Sequence, residues 1–196
     1  MEVNTAPILF QANLFYLKSV GTQEQRELLK KDILDLKEKS NDSIARTNPG
    51  CWRSDLFPVE NYPWLEESAK TLIEQAHNYY SSDQTYFSRT KLEGTSYNAW
   101  VNVNEPGSRN VLHSHFSTYS CVYYVQTQGT GSLRLCNPAQ TLTNNVSNSP
   151  FTRDFYIDPS DGDLILWPSW IPHEVEPNLS NQSRINVAMD VHLAYA

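Results

Sequence analysis

The chain has 196 residues, with 15 Lys and Arg against 22 Asp and Glu, and a formal net charge of −7 at pH 7. This length indicates a single domain, large enough to bury a core without disulfide support. The acidic charge, with no stripe of Lys and Arg, argues against a surface built to bind nucleic acid non-specifically. Aromatic residues make up 12% of the chain and like-charge blocks are absent, which argues against disorder.

The N-terminus lacks the basic and continuous apolar regions of a secretory signal, and no apolar run approaches the roughly 18 residues of a membrane span. The three cysteines, at positions 51, 121 and 136, are odd in number and form no CxxC pattern, which favours reduced thiols. We therefore expect a cytoplasmic protein with no membrane partner and no nucleic-acid partner. A homodimer is left open.

The N-terminal part predicts one or two strands followed by a helix. Residues 7–18 carry the strand-like pattern. A helix is predicted over about 23–39, with Thr22 as its N-cap and Gln25 as the capping-box partner. Its apolar face consists of Leu29, Ile33 and Leu36.

A second helix is predicted over about 63–80, after an irregular stretch at 51–62. Pro63 suits the first helical turn, where its missing N–H costs nothing. His77 lies at the edge of the apolar stripe, and we interpret it as structural. The stripe consists of Leu65, Ala69, Leu72, Ile73, Ala76 and Tyr80.

From about residue 85 the helical period gives way to short alternating apolar runs separated by Gly, Pro, Asn and Ser. The Asn-rich segment 138–150 is predicted to be a long loop, either a functional lid or a surface insertion. Helices followed by strands predict an α+β, mainly β fold, with N-terminal helices supporting one face of a β-sandwich or barrel. The predicted strands are 96–104, 120–127, 131–137, 154–159, 163–168 and 184–195.

Three of the five histidines lie in two motifs at strand edges. On an extended chain residues i and i+2 face the same side, so His113 and His115 should point into one cavity. His173 follows the apolar run 163–166 and a turn fixed by proline. Three ligands on one face, with the opposite face open, describe a non-haem iron site. Taken alone, the HxH pair could equally be solvated or half of a zinc site.

Five elements follow one another along the C-terminal half of the chain. They are Gly107, the His113-Ser114-His115 motif, the apolar run 121–125, the segment 162–168 leading to His173, and Arg184 eleven residues later. In this order and spacing, residues 98–125 and 161–191 resemble the prolyl-hydroxylase-like 2-oxoglutarate/Fe(II) oxygenases. The order and spacing of all five are more specific than any one of them.

The resemblance implies a double-stranded β-helix (jelly-roll, cupin-like) in one domain, residues 1–196. Residues 1–85 would supply N-terminal strands and support helices, and residues 86–196 the catalytic core. Fe(II) would bind His113, His115 and His173. The cosubstrates would be 2-oxoglutarate and O2, and the reaction most simply hydroxylation of an unknown primary substrate.

Position 115 departs from the family, which has Asp or Glu there. A carboxylate would cancel one positive charge of Fe(II), whereas a neutral imidazole would not. Two alternatives therefore stay open: a three-His cupin-type dioxygenase that does not use 2-oxoglutarate, and a non-enzymatic β-sandwich that binds a metal or ligand.

Arg184 lies in a strand whose other positions are mostly apolar. An inward-facing guanidinium must be paired, and its planar fork matches a carboxylate. The resemblance makes that partner the C5 carboxylate of 2-oxoglutarate, joined by the hydroxyl of Tyr124. A structural ion pair is the alternative for Arg184, and a core aromatic is the alternative for Tyr124.

Further candidates surround the two histidine motifs. Asn102, with Asn104 and Asn110, approaches the HxH motif and could bind the C1 side of the cosubstrate or only a turn, because Asn is unusual within a strand. Trp170, beside His173, and Arg134, on the run 131–137, are candidate substrate contacts.

Overall fold

The computed structural model describes residues 12–40, 49–81, 90–127, 129–137 and 154–195. This part of the chain contains two α-helices, one 3-10 turn (Val59–Asn61) and ten strands. The helices are α1 (Gln23–Lys39) and α2 (Pro63–Ser81). The strands are β1 (Phe15–Leu17), β2 (Cys51–Arg53), β3 (Thr90–Asn104), β4 (Asn110–His113), β5 (Tyr119–Gln126), β6 (Leu133–Leu135), β7 (Phe155–Ile157), β8 (Leu164–Pro168), β9 (His173–Val175) and β10 (Arg184–Tyr195).

The strands form two antiparallel sheets. The larger sheet has the order β1-β8-β5-β10-β3-β2, and the smaller has the order β4-β9-β6-β7. Side chains from both sheets meet in one apolar cluster that includes Tyr124, Leu133 and Trp167. The predicted fold class, a mainly β double-stranded β-helix with N-terminal support helices, is confirmed.

Both helices follow the local sequence signals. Thr22 and Gln25 form the predicted capping box, in which the Gln25 backbone N–H donates to the Thr22 hydroxyl at 3.2 Å. All six apolar positions predicted on α2 are buried. His77 exchanges hydrogen bonds with the side chains of Ser81 and Thr90 at 3.3 Å, which suits the structural role predicted for it. Neither helix combines the length and apolar character needed to cross a membrane, within the described ranges.

Strand β10 separates the helix-backed core from the space between the sheets, because successive side chains of a strand point to opposite faces. Ile185, Val187, Met189 and Val191 belong to the core cluster that also contains the buried residues of both helices. The alternate positions, Arg184, Asn186, Ala188, Asp190 and His192, line the space between the sheets. One strand therefore carries both core residues and cavity residues.

Some element predictions were wrong or incomplete. Residues 51–53, predicted as irregular, form β2 because they pair with the end of β3. Strand β3 begins at Thr90 rather than at residue 96, because its pairing with β10 continues past a register shift as far as Tyr195. Of the predicted strand region 7–18, residues 12–18 are described, and they contain β1. The predicted 138–150 loop lies outside the described residues.

Candidate metal centre and cosubstrate cavity

The three predicted histidines meet on the smaller sheet. His113 ends β4 and is paired in register with His173, which begins β9. His115 lies two residues beyond β4, where its backbone N–H donates to the Ser169 carbonyl at 3.1 Å. One ligand nitrogen from each of the three rings can be chosen so that all lie within 4.8 Å of one another. This spacing suits a single ion bound by all three.

In each of the three imidazole rings, the Nδ1 atom faces a hydrogen-bond acceptor. The Nδ1 atom of His113 lies 2.6 Å from the Val111 carbonyl oxygen, and that of His173 lies 3.0 Å from the Ile171 carbonyl oxygen. The Nδ1 atom of His115 lies 2.9 Å from Oδ1 of Asp190. Each acceptor assigns the proton to Nδ1, so that the lone pair of every Nε2 is left for a metal.

The buried setting keeps His113 and His173 in the form that binds metals. Burial lowers the pKa of His113 below its usual range, and burial together with the neighbouring His113 ring lowers the pKa of His173 to about 3. Both rings are therefore neutral near pH 7. Neutral imidazoles are suitable ligands for Fe, Zn, Cu and Ni, so the donor set fits Fe(II) without selecting it.

Asp190 is a carboxylate in this environment. Burial alone would raise the pKa of Asp190, but the hydrogen bonds from His115 and Ser117 and the nearby His115 and His192 rings outweigh burial, so the pKa lies below its usual range. The only charged partner that contacts any of the three rings, within the described chain, is thus a negative one.

A cavity of about 360 Å³ adjoins the histidines, in the size range of small-molecule sites. Its walls come from both sheets. The predicted residues that line it are His113, His115, His173, Tyr124, Asn102, Asn110 and Arg184, whereas Asn104 lies outside the lining.

Arg184 lies in this cavity with its side chain fully buried. Its Nη1 donates to the Thr130 carbonyl at 3.2 Å, its Nη2 donates weakly to Oδ1 of Asn110 at 3.4 Å, and its Nε has no hydrogen-bond partner. No Asp or Glu of the described residues forms an ion pair with it. A buried cation with only neutral acceptors is unfavourable unless an anion joins it, so the site fits a carboxylate.

Tyr124 is buried next to Arg184, and burial raises the pKa of its phenol well above the usual range. The hydroxyl therefore stays protonated and can donate a hydrogen bond.

Asn102 also lines the cavity. Its side-chain amide nitrogen donates a hydrogen bond to Oδ1 of Asn186 at 2.8 Å.

Arg134 and Trp170 are not among the residues that line the cavity. Leu133 and Leu135 point inward from β6, so the intervening Arg134 faces away, where it pairs with Asp154 and Glu174 at 2.5 Å each. Trp170 lies in the turn after β8 and is 42% exposed, whereas the buried Trp167 lines the cavity.

Sequence reasoning missed Asp190, Asn186 and Trp100 in the cavity wall. The alternation of β10 could have identified the first two, because they lie an even number of residues from Arg184. No local signal marked Trp100, whose ring stacks on His115 with centroids 5.9 Å apart.

Comparison with known proteins agrees with this geometry. Residues 98–190 match the family model described as a putative 2OG-Fe(II) oxygenase. No curated protein sequence matches the chain.

Solved structures show the same fold at low sequence identity. A prolyl-4-hydroxylase from Pseudomonas putida has 14% identity and a TM-score of 0.62, over 91% of each chain. A Trichoplax adhaerens prolyl hydroxylase, in complex with a hypoxia inducible factor peptide, has 17% identity and a TM-score of 0.61, over 91% of this chain and 83% of that one. HygX from Streptomyces hygroscopicus, with nickel and 2-oxoglutarate bound, has 12% identity and a TM-score of 0.59, over 91% and 82%. The predicted resemblance to the 2-oxoglutarate- and Fe(II)-dependent oxygenases is thus confirmed over residues 98–190, the part of the chain that holds all three histidines and Arg184.

Proposed function

We propose that the protein is a hydroxylase in which His113, His115 and His173 hold Fe(II), while Arg184 and Tyr124 bind the C5 carboxylate of 2-oxoglutarate. The observation that carries the proposal is one cavity that combines three converging imidazoles with a buried guanidinium that has no counter-ion among the described residues. When bound, iron and 2-oxoglutarate would supply the oxidation of a substrate C–H bond by O2, with release of succinate and carbon dioxide.

The chain's own residues would position the reactants. The three Nε2 atoms would occupy one face of the ion and leave the other face open for cosubstrate and oxygen. Arg184 would orient 2-oxoglutarate by a charge-assisted pair of hydrogen bonds, with the Tyr124 hydroxyl as an additional donor. Asn102, on the same cavity wall, is the candidate for a contact with the other end of the cosubstrate.

Arg184 also bears on the two alternatives left open by the sequence. A three-His dioxygenase that does not use 2-oxoglutarate has no evident use for a buried cation in its cavity. A non-enzymatic ligand-binding sandwich could use the cation, but it would not need three aligned imidazoles. Both features together favour an oxygenase that uses 2-oxoglutarate.

The first prediction is that the anaerobic protein binds about one Fe(II) per chain, and that His113→Ala or His173→Ala abolishes this binding. Each substitution removes one of the three nitrogens that converge. The matched control is His77→Ala on α2, which removes a histidine outside the cavity and should leave iron binding unchanged. Wild-type iron affinity in both cavity variants would contradict the ligand assignment.

Addition of 2-oxoglutarate to the anaerobic Fe(II) protein should then produce a metal-to-ligand charge-transfer band. Admission of oxygen should convert 2-oxoglutarate to succinate. Iron binding without that band at millimolar 2-oxoglutarate would favour the three-His dioxygenase, and failure to bind any metal would favour a non-enzymatic binder.

A further inference from the structure

We propose that Asp190 is a positioning residue that supplies, through the His115 ring, the negative charge that a directly bound carboxylate would otherwise give the metal. The inference rests on the proposed function, because it needs His115 to be a metal ligand. Asp190 lies 75 positions after His115 in the sequence. It belongs to β10 of the larger sheet, whereas His115 follows β4 of the smaller sheet.

His115 differs from the other two histidines in the partner of its Nδ1 atom. His113 and His173 face backbone carbonyls, which are neutral acceptors from their own chain segments. The Nδ1 of His115 lies 2.9 Å from Oδ1 of Asp190 and 3.2 Å from Oδ2. Of the three rings, His115 alone contacts a charged acceptor within the described residues. His115 also occupies the position at which the family resemblance would place Asp or Glu.

The Asp190 carboxylate is held firmly in place. It lies on β10, which is paired on both sides, with Asn98 of β3 and Ser120 of β5 opposite it. The Ser117 hydroxyl donates to Oδ1 at 3.1 Å and lies 2.6 Å from the Ser169 hydroxyl. The Ser169 carbonyl accepts from the His115 backbone N–H, so the same small network fixes both the ring and its partner.

A carboxylate on the far nitrogen of a metal-binding imidazole fixes the tautomer and orientation of the ring and increases the basicity of the other nitrogen. Asp190 therefore holds Nε2 of His115 toward His113 and His173 and makes it a stronger donor. The negative charge of Asp190 lies one imidazole ring farther from the metal position than the charge of a directly bound carboxylate would. Asp190 thereby supplies a negative charge near the metal that three imidazole ligands do not carry.

The test is Asp190→Asn, which keeps the shape of the side chain and removes its charge. Anaerobic titration with Fe(II) alone should show metal affinity about 10–100-fold weaker than that of wild type. Asp154→Asn is the matched control, because it removes an equally well paired carboxylate outside the cavity and should leave the affinity unchanged. If Asp190→Asn does not fold, Asp190→Ala replaces it with the same expectation.

A second arm asks whether Asp190 acts through His115. His115→Asp restores a carboxylate next to the metal, and in that background Asp190→Asn should no longer weaken Fe(II) binding, because two neighbouring carboxylates repel each other. An equal loss of affinity in both backgrounds would overturn the proposal, since Asp190 would then act without the His115 ring.

The two proposals fail differently. If wild type binds Fe(II), His113→Ala abolishes binding and Asp190→Asn binds as well as wild type, the role of Asp190 is wrong while the metal site stands. If wild type binds no Fe(II), the proposed function itself fails.

Discussion

At the scale of single residues, Arg184 bears most directly on which molecule the cavity accepts. Its guanidinium is fully buried, yet its only acceptors within the described chain are a backbone carbonyl and an amide oxygen. Uncompensated burial of a charge is costly, and an arriving carboxylate would remove much of that cost. The cavity should therefore prefer a ligand with a carboxylate placed for Arg184.

Arg184→Ala should leave Fe(II) affinity nearly unchanged but weaken 2-oxoglutarate binding by at least ten-fold and up to several hundred-fold. A charge-assisted contact contributes roughly 1.5–3 kcal/mol, truncation also strands the ligand carboxylate, and about 1.4 kcal/mol corresponds to ten-fold in affinity. Tyr124→Phe removes one neutral hydrogen bond and should cost about ten-fold or less. The measurement is the charge-transfer titration described above. Equal 2-oxoglutarate affinity in Arg184→Ala and wild type would make Arg184 a structural residue.

Local sequence motifs were enough to predict the three histidines and Arg184 as candidates, but they could not predict Asp190. The spacing of His113 and His115, the turn before His173, and the distance from His173 to Arg184 are local features. Asp190 meets His115 only through the pairing of β10 with β5, a tertiary arrangement that no short motif encodes. Arg134 lies outside the cavity lining, which the sequence could not show because β6 has only three residues and its alternation is too short to decide which face is inward.

At the scale of elements, local signals predicted the helices better than the short strands. The bounds of α1 and α2 follow from a capping box, a first-turn proline and apolar residues that recur at the helical period. Strands β2, β4 and β9 have three or four residues each and exist through pairing with distant partners. Such strands depend on tertiary context, which outweighs intrinsic preference.

The two faces of β10 should respond differently to substitution. Ile185→Ala truncates a fully buried core residue and should lower the free energy of unfolding by about 2–5 kcal/mol. Ala188→Leu adds bulk on the cavity face and should block 2-oxoglutarate while iron binding persists. Urea unfolding and the 2-oxoglutarate titration measure the two effects. Unchanged 2-oxoglutarate affinity in Ala188→Leu would mean that the cosubstrate lies away from the middle of β10.

At the scale of the whole molecule, an acidic chain encloses a cavity with a small excess of positive charge. The net charge of the chain is −7, yet the cavity wall carries Arg53 and Arg184 against a single acidic residue, Asp190. In the proposed function, the three imidazoles of this wall bind a metal ion and Arg184 binds the carboxylate of 2-oxoglutarate. Ligands should therefore contribute substantially to the stability of the folded state.

Thermal unfolding should show this linkage. At 2-oxoglutarate one hundred times above its dissociation constant, the anaerobic Fe(II) protein should gain about 2.7 kcal/mol, a rise in Tm of roughly 5–10 °C for a chain of this size. Arg184→Ala should keep the increment from iron and lose most of the increment from 2-oxoglutarate at the same concentration. An identical 2-oxoglutarate increment in that variant would place the anion elsewhere.

The alternation along β10 also limits how such a protein can change over generations. Point substitutions at positions 186, 188 and 190 can alter the chemistry of the pocket while positions 185, 187 and 189 continue to hold the scaffold together. Insertion or deletion of a single residue within this stretch would exchange the two sets, and would place Arg or Asp against the helices and Ile or Val beside the metal. New specificities should therefore arise in this strand by replacement at constant length, whereas changes in length are confined to the connections around it.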